Sequence, residues 1–298
     1  MLRPAPRISD QARKLHVAVR QGSLPALREV LTEHCSPDAV DEEASPALIW
    51  AVRGKIPEMV NLLLGAGASP NLPDRDGDTA LIYAVREGLV EIMNILLAKG
   101  ADANICNATG NTPLIWAARK NATDTARLLL EQRAEVDACN NDNDTALIWA
   151  ARDGFKEMSR LLIGAGADVN AANKTGNTAL ILAACDGHTE TVRLLLAHGA
   201  NARAQNKYGN SALIWAGRAG YEDIARMLLD AGARLDDQND FGNTAFLMTA
   251  RWGHTAIARM LMERGANTQL KDKENFNALE RAIQEGELGA GIVALLQK

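Results

Sequence analysis

Thr145-Ala146-Leu147-Ile148-Trp149-Ala150-Ala151-Arg152-Asp153-Gly154 is the stretch on which the fold turns, because the chain keeps rewriting it. TALIYAVREG begins at Thr79, TPLIWAARKN at Thr112 and SALIWAGRAG at Ser211. The opening hydroxyl returns again at Thr178 and Thr244, so the phrase recurs every 33 residues. Self-similarity at a period of about 20–50 residues marks a solenoid, in which each copy buries its apolar face against the next. Within a copy the apolar run suits a short helix, with threonine as N-cap accepting from an orphan backbone N–H. Glycine follows it at 88, 154, 187, 220 and 253. A second periodic stretch, such as Glu91–Leu97, then stops at Gly100-Ala101-Asp102-Ala103-Asn104 or Gly166-Ala167-Asp168-Val169-Asn170. Glycine just past a helix is the usual left-handed terminator, and Asn/Asp-rich segments form turns. Each copy therefore predicts two antiparallel helices of roughly 8–11 residues and an extended loop, with no sheet beyond hairpin-like loops.

The 33-residue TxL…A core followed by a G-A-D-x-N loop resembles the ankyrin repeat. That resemblance implies an all-α solenoid of stacked helix-turn-helix units with projecting hairpin loops. The frame lays about nine units on the chain, starting near 10, 43, 76, 109, 142, 175, 208, 241 and 274. It predicts a single array over 10–298 after a short tail, 1–9. The terminal units depart from the pattern: Leu15–Gly22 lacks the threonine, and the last second helix slips register around Gly289 and Gly291. Terminal repeats have one neighbour only and need atypical, polar caps, so both caps are expected here. Arg133 stands where the other units end their second helix with glycine, and is expected in the left-handed region at a cost of about 1 kcal/mol. His16 falls where the family places the histidine of its TPLH motif, which implies a structural role. In later units that position is apolar (Ile49, Ile82, Ile115, Ile148, Ile181, Ile214 and Leu247), replacing a polar inter-repeat network with an apolar column.

Composition bounds the function. The 298 residues are 47% hydrophobic and only 4% aromatic, as suits Ala and Leu in close-packed short helices, and the net charge of −5 disfavours a general nucleic-acid binder. The amino-terminal MLRPAPRIS lacks an apolar signal core, and no apolar run approaches the roughly 18 residues of a membrane span. Cys35, Cys106, Cys139 and Cys185 have no zinc-like spacing and suit free thiols in a reducing, cytoplasmic or nuclear compartment. The Asn-x-Thr triplets at 107, 121, 143 and 173 follow from Asn/Thr-rich turns. His16, His34, His188, His198 and His254 form no HExxH pair, and there is no phosphate-binding glycine loop or nucleophile elbow. A non-catalytic protein without cofactor or metal is expected.

The candidate binding residues lie one position beyond the apolar column. There the chain carries Trp50, Tyr83, Trp116, Trp149, Leu182, Trp215 and Met248; three residues on come Arg53, Arg86, Arg119, Arg152, Cys185, Arg218 and Arg251, with Arg20 in the matching slot of the first unit. Residues i and i+3 are neighbours on a helix, and in ankyrin repeats this face lines the concave groove. The resemblance thus implies a ladder of aromatic–Arg pairs, broken at Leu182/Cys185. Trp, Tyr and Arg dominate interface hot spots. Two structural readings stand beside the binding one: the aromatics seal the seam between first helices, and the arginines are solvated or pair with the acid of a neighbouring unit at Glu87, Asp153 or Asp186. A second series, Arg127, Arg160, Arg193, Arg226 and Arg259, follows Asp124, Glu157, Glu190 and Asp223 at i+3 in four cases and suits a solvated convex face. Loop tips are the other candidate surface, with Tyr208 and Phe241 beside Trp252 as an apolar edge.

Two functions follow from different classes. The first is a monomeric scaffold or adaptor binding a protein partner with acidic and apolar contacts. The second is a receptor for an anionic small molecule or single-stranded nucleic acid, with bases stacked on tryptophan and phosphates held by arginine. Overall acidity disfavours the second.

Overall fold

The computed structural model describes residues 9–33 and 35–297. His34 and all but Ser9 of the expected tail lie outside the described residues. The described residues form eighteen helices in consecutive pairs, and their only extended pairings are isolated antiparallel bridges at Val40–Pro46, Ala172–Thr178 and Gln205–Ser211. The all-α helix-turn-helix architecture is as expected. Helix lengths run slightly below expectation: most first helices have seven or eight residues, most second helices nine. The side-chain cap fixes the start and a left-handed residue soon after the last turn fixes the end, so the first helix cannot lengthen.

The described residues group into two compact bodies, divided between Asn141 and Asp142. In the amino-terminal body the helix pairs are Asp10–Arg20 with Leu24–Thr32, Ala47–Arg53 with Pro57–Gly65, Ala80–Arg86 with Val90–Ala98, and Pro113–Arg119 with Thr123–Glu131. Thr79 and Thr112 accept from the N–H of Ile82 and Ile115 at 3.4 and 3.3 Å. Ile49, Ile82 and Ile115 have no exposed surface. His16 precedes them, buried, with Nε2 2.9 Å from the Ala39 carbonyl oxygen. Arg133 has φ +64°, the left-handed conformation expected of it.

In the carboxy-terminal body the pairs are Ala146–Arg152 with Lys156–Gly164, Ala179–Cys185 with Thr189–Ala197, Ala212–Ala219 with Glu222–Asp230, Ala245–Trp252 with Thr255–Glu263, and Ala278–Gln284 with Ala290–Leu296. Thr145, Thr178, Ser211 and Thr244 cap in the same way. Ile148, Ile181, Ile214 and Leu247 are at most 2% exposed. The expected register slip is present: the last second helix begins at Ala290, and a Cβ on Gly289 would meet the Ala282 carbonyl oxygen at 1.8 Å.

Loops in each body are tied to their neighbours by one recurring device. Ala108 N–H donates to Asp76 O at 2.9 Å in the first body, and Lys207 N–H donates to Thr175 O at 2.9 Å in the second. Beside this bond runs an amide ladder: Asn107 Nδ2 donates to Asp78 Oδ1 at 2.8 Å, and Asn206 Nδ2 to Asn177 Oδ1 at 2.8 Å. The tip glycine is required for this approach, since a Cβ on Gly77 would sit 2.6 Å from Ala108 N. Among the described residues no helix is long and apolar enough to cross a membrane.

Candidate functional site

In the amino-terminal body guanidinium and ring alternate along the first helices. Arg20 lies 4.1 Å from the Trp50 ring centre, Arg53 lies 4.3 Å from Trp50 and 5.7 Å from Tyr83, and Arg86 lies 5.5 Å from Tyr83 and 4.7 Å from Trp116. Arg119 lies 4.4 Å from the Trp116 ring centre. The slots are 33 residues apart, so an arginine of one repeat reaches the ring of the next as well as its own. Each such contact is worth about 0.5–1 kcal/mol when exposed.

Beneath the rings lie acids, Asp41 and Asp78 buried and Asp74 half-buried, that the sequence reading did not find. Nine residues before the aromatic slot, Asp41 Oδ2 accepts from the Trp50 indole at 2.8 Å and from Arg20 at 2.5 Å, and Asp74 Oδ2 accepts from the Tyr83 hydroxyl at 2.9 Å. Asp78 accepts from Arg86 at 2.6 Å. Burial pushes the Tyr83 hydroxyl up to about 12, with Asp74 adding to it. Burial also raises the Asp78 carboxyl, against the opposing pull of Asn107 and Arg86. Asp41 goes the other way: burial works to raise it, but N–H donors from Ser45, Trp50 and Glu43 hold it below the usual carboxylate range. At Trp116 the residue nine back is Asn107, whose Oδ1 already accepts from Thr109 and Asn111, and Trp116 Nε1 is buried without an acceptor.

The expected partners are corrected at Arg20 and Arg86, whereas Arg251 approaches Glu285, the acid in the slot of Glu87, at 3.9 Å. Arg20 and Arg86 pair with loop acids rather than with Glu87, Asp153 or Asp186, and Glu87 is engaged by Lys55 at 3.1 Å. Arg53 is exposed and stacked between two rings, with no carboxylate in ion-pair contact among the described residues.

The carboxy-terminal body fills the same slots differently. Arg152 stacks on Trp149 at 5.2 Å. The next rung is Leu182 and Cys185, and burial, then Asp186, pushes the Cys185 thiol up to about 11. Arg218 lies 5.2 Å from Trp215 and 6.0 Å from Trp252. Met248 is buried, and Arg251 approaches Glu285 at 3.9 Å. The last aromatic slot holds Arg281, which bonds Asp272 nine residues back at 2.5 Å, as Trp50 bonds Asp41. Tyr208 and Phe241 are exposed at the loop tips, and Trp252 is 44% exposed. Phe241 also borders a cleft between the first helices of this body, so loop tip and groove meet there.

On the other face, Arg160 pairs with Glu157 and Arg193 with Glu190, both exposed. Cys35, Cys106, Cys139 and Cys185 are free thiols. Among the described residues no cluster of three or more His, Cys, Asp or Glu could hold a metal ion.

No curated protein matches the chain in sequence. The family description "Ankyrin repeats (3 copies)" matches residues 15–107, 91–173 and 160–239, and "Ankyrin repeat" matches 241–273. With capped helix pairs, left-handed terminators and hydrogen-bonded loop tips at the same 33-residue spacing, those matches place this chain in the ankyrin-repeat family.

Proposed function

We propose that the chain is a non-catalytic scaffold or adaptor whose Arg–aromatic faces bind a protein partner carrying acidic side chains beside apolar ones. Ankyrin repeats are in general protein-interaction modules, and the family assignment supports the class. The observation that carries the finer reading is the state of Arg53, Arg152 and Arg218. Each is exposed, stacked on a ring, and without a carboxylate in ion-pair contact. A ring orders a guanidinium without using its N–H donors, so an incoming carboxylate meets a preorganised fork. The rings themselves are half-buried and seal the seam between helices, so they serve packing and recognition together. The free thiols suit a cytoplasmic or nuclear site for this binding.

The test is partner capture and affinity with groove and convex variants compared. Trp149→Ala should weaken binding by about 2 kcal/mol, as hot-spot truncations do. Arg119→Glu and Arg152→Glu should slow association and flatten its salt dependence. Arg160→Glu and Arg193→Glu, on the convex face, should leave affinity nearly unchanged. Equal losses from both sets reject the groove; no loss from either moves the contact to the tips at Tyr208 and Phe241. Competition by a single-stranded oligonucleotide with a steep salt slope would instead favour an anion receptor.

A further inference from the structure

The cleft in the carboxy-terminal body has a volume of about 490 Å³. Ile214, Met248, Trp215 and Trp252 line it, and Phe241, 67% exposed, stands at its edge. Pockets of roughly 300–1,000 Å³ with mostly apolar walls and a few polar groups are the ordinary dimensions of ligand sites.

The charges around this space are unequally committed. Both nearby acids are drawn onto one buried cation: Arg281 contacts Asp272 at 2.5 Å and Glu274 at 2.9 Å. The cations Arg218 and Lys273 are exposed and, among the described residues, have no carboxylate in ion-pair contact. Arg218 is instead ordered by the rings of Trp215 and Trp252. The cleft is therefore apolar within and positive at two uncommitted points, which complements an apolar group carrying a carboxylate next to it.

We propose that this cleft is the specificity pocket of the groove: it seats one bulky apolar side chain of a partner segment, with an adjoining aspartate or glutamate on Arg218 and Lys273. The proposal rests on the groove reading above and deepens it by naming the partner's chemistry. The amino-terminal body offers the same cations on a filled face, where every aromatic slot from Trp50 to Trp116 is occupied by a ring.

The experiment titrates the full ¹⁵N-labelled chain with acetyl-Glu-Phe-Glu-amide, watching indole N–H resonances assigned by Trp→Phe substitution. The Trp215 and Trp252 indoles should shift saturably while Trp50 stays still. Acetyl-Gln-Phe-Gln-amide and acetyl-Glu-Ala-Glu-amide should each bind at least ~tenfold more weakly, as should the first peptide to Arg218→Gln or Phe241→Ala, whereas the convex-face variant Arg160→Gln should bind normally. Equal affinity for the glutamine peptide overturns the carboxylate contact, and no saturable shift at ~10 mM peptide overturns the pocket. Shifts centred on Trp50 overturn the location and leave the groove reading standing. Partner capture lost in Trp149→Ala but unaffected in Phe241→Ala and Arg218→Gln sinks the cleft alone. Capture indifferent to every groove variant sinks the groove reading itself.

Discussion

The two bodies are built from one 33-residue plan and use its two groove slots to opposite ends. In the amino-terminal body every rung from Trp50 to Arg119 is filled, Arg53 and Arg86 are each shared between two rings, and buried or half-buried loop acids hold the assembly from below. In the carboxy-terminal body Trp149 and Trp215 keep their arginines, but the other slots hold Leu182 and Cys185, then Met248, then Arg281, and beside the last two a cleft opens. The lesson is a division of labour. Backbone periodicity decides where a side chain stands, while the identity in the slot decides between a sealed stack and an open pocket.

The sharpest way to break that comparison is at the end of the second body, where a buried arginine, paired with Asp272 and stacked on Phe276, occupies the aromatic slot. Arg281→Ala strands the buried Asp272 and should cost about 3 kcal/mol, as expected when one partner of a buried pair is lost. Arg281→Tyr should recover part of it, because Tyr83 already shows a phenol reaching the acid nine residues back. Urea denaturation of the three proteins decides this, and equal stability would mean that Asp272 is solvated. Next, Leu182→Trp with Cys185→Arg restores the missing rung. Stability should rise by up to about 1 kcal/mol, the worth of an exposed cation–π contact; a fall would show that the leucine fills a space too small for a ring.

How much of this was legible beforehand depends on the distance over which each feature acts. Thr79 capping its own helix, Gly88 ending it and Arg133 forced to positive φ are local, and the phrase containing them states them outright. The ring–arginine spacing was equally local, i to i+3 on one helix. The acids below were not, because Asp41, Asp74 and Asp272 come into contact only after the loop has folded back onto the following helix. A signal did exist: the residue nine before the slot is Asp or Asn in every copy from Asp41 to Asp272. Nothing in a one-dimensional pattern says that it faces the ring. Arg281 was hidden for a second reason, since it breaks the aromatic series that identifies the slot.

Two smaller effects sharpen the contrast further. A left-handed glycine follows the second helix at Gly67, Gly100, Gly166, Gly199, Gly232 and Gly265, whereas the amino-terminal body places Arg133 in that conformation after Thr123–Glu131. Arg133→Gly should stabilise by about 1 kcal/mol or less, since a left-handed conformation costs a non-glycine residue about that much and glycine's extra unfolded-state entropy offsets part of the gain. A lowered melting temperature would show that the arginine's contacts outweigh its strain. Smaller still is a pH effect confined to the first body. Asp78 is raised by burial, so its protonated form is favoured by folding: its contribution is fully present below the unfolded carboxylate range and is lost as pH rises through the folded value. Asp78→Asn lacks that loss and keeps an acceptor for Asn107. Its stability relative to wild type should improve as pH rises from about 4 to 7, given the usual carboxylate pKa of about 3.9; a difference that does not move with pH would contradict the shift. Asp41, held low, has the opposite sign: its contribution is fully present above the unfolded carboxylate range and is lost as pH falls through the lower folded value.

The loop tips also make copy number an editable quantity. Asn206-Lys207-Tyr208-Gly209-Asn210 and Asn173-Lys174-Thr175-Gly176-Asn177 differ at one position, and both hold the same turn. Excising residues 175–207 joins Lys174 to Tyr208 and writes Asn-Lys-Tyr-Gly-Asn again, so the cut leaves no scar in the turn. Asn210 keeps its partner Asn239, since both lie beyond the cut. The excised segment contains Leu182 and Cys185, the broken rung. A single in-frame recombination between neighbouring copies can therefore delete the interruption without creating a new junction, which makes the gap something a lineage can gain or lose in one step.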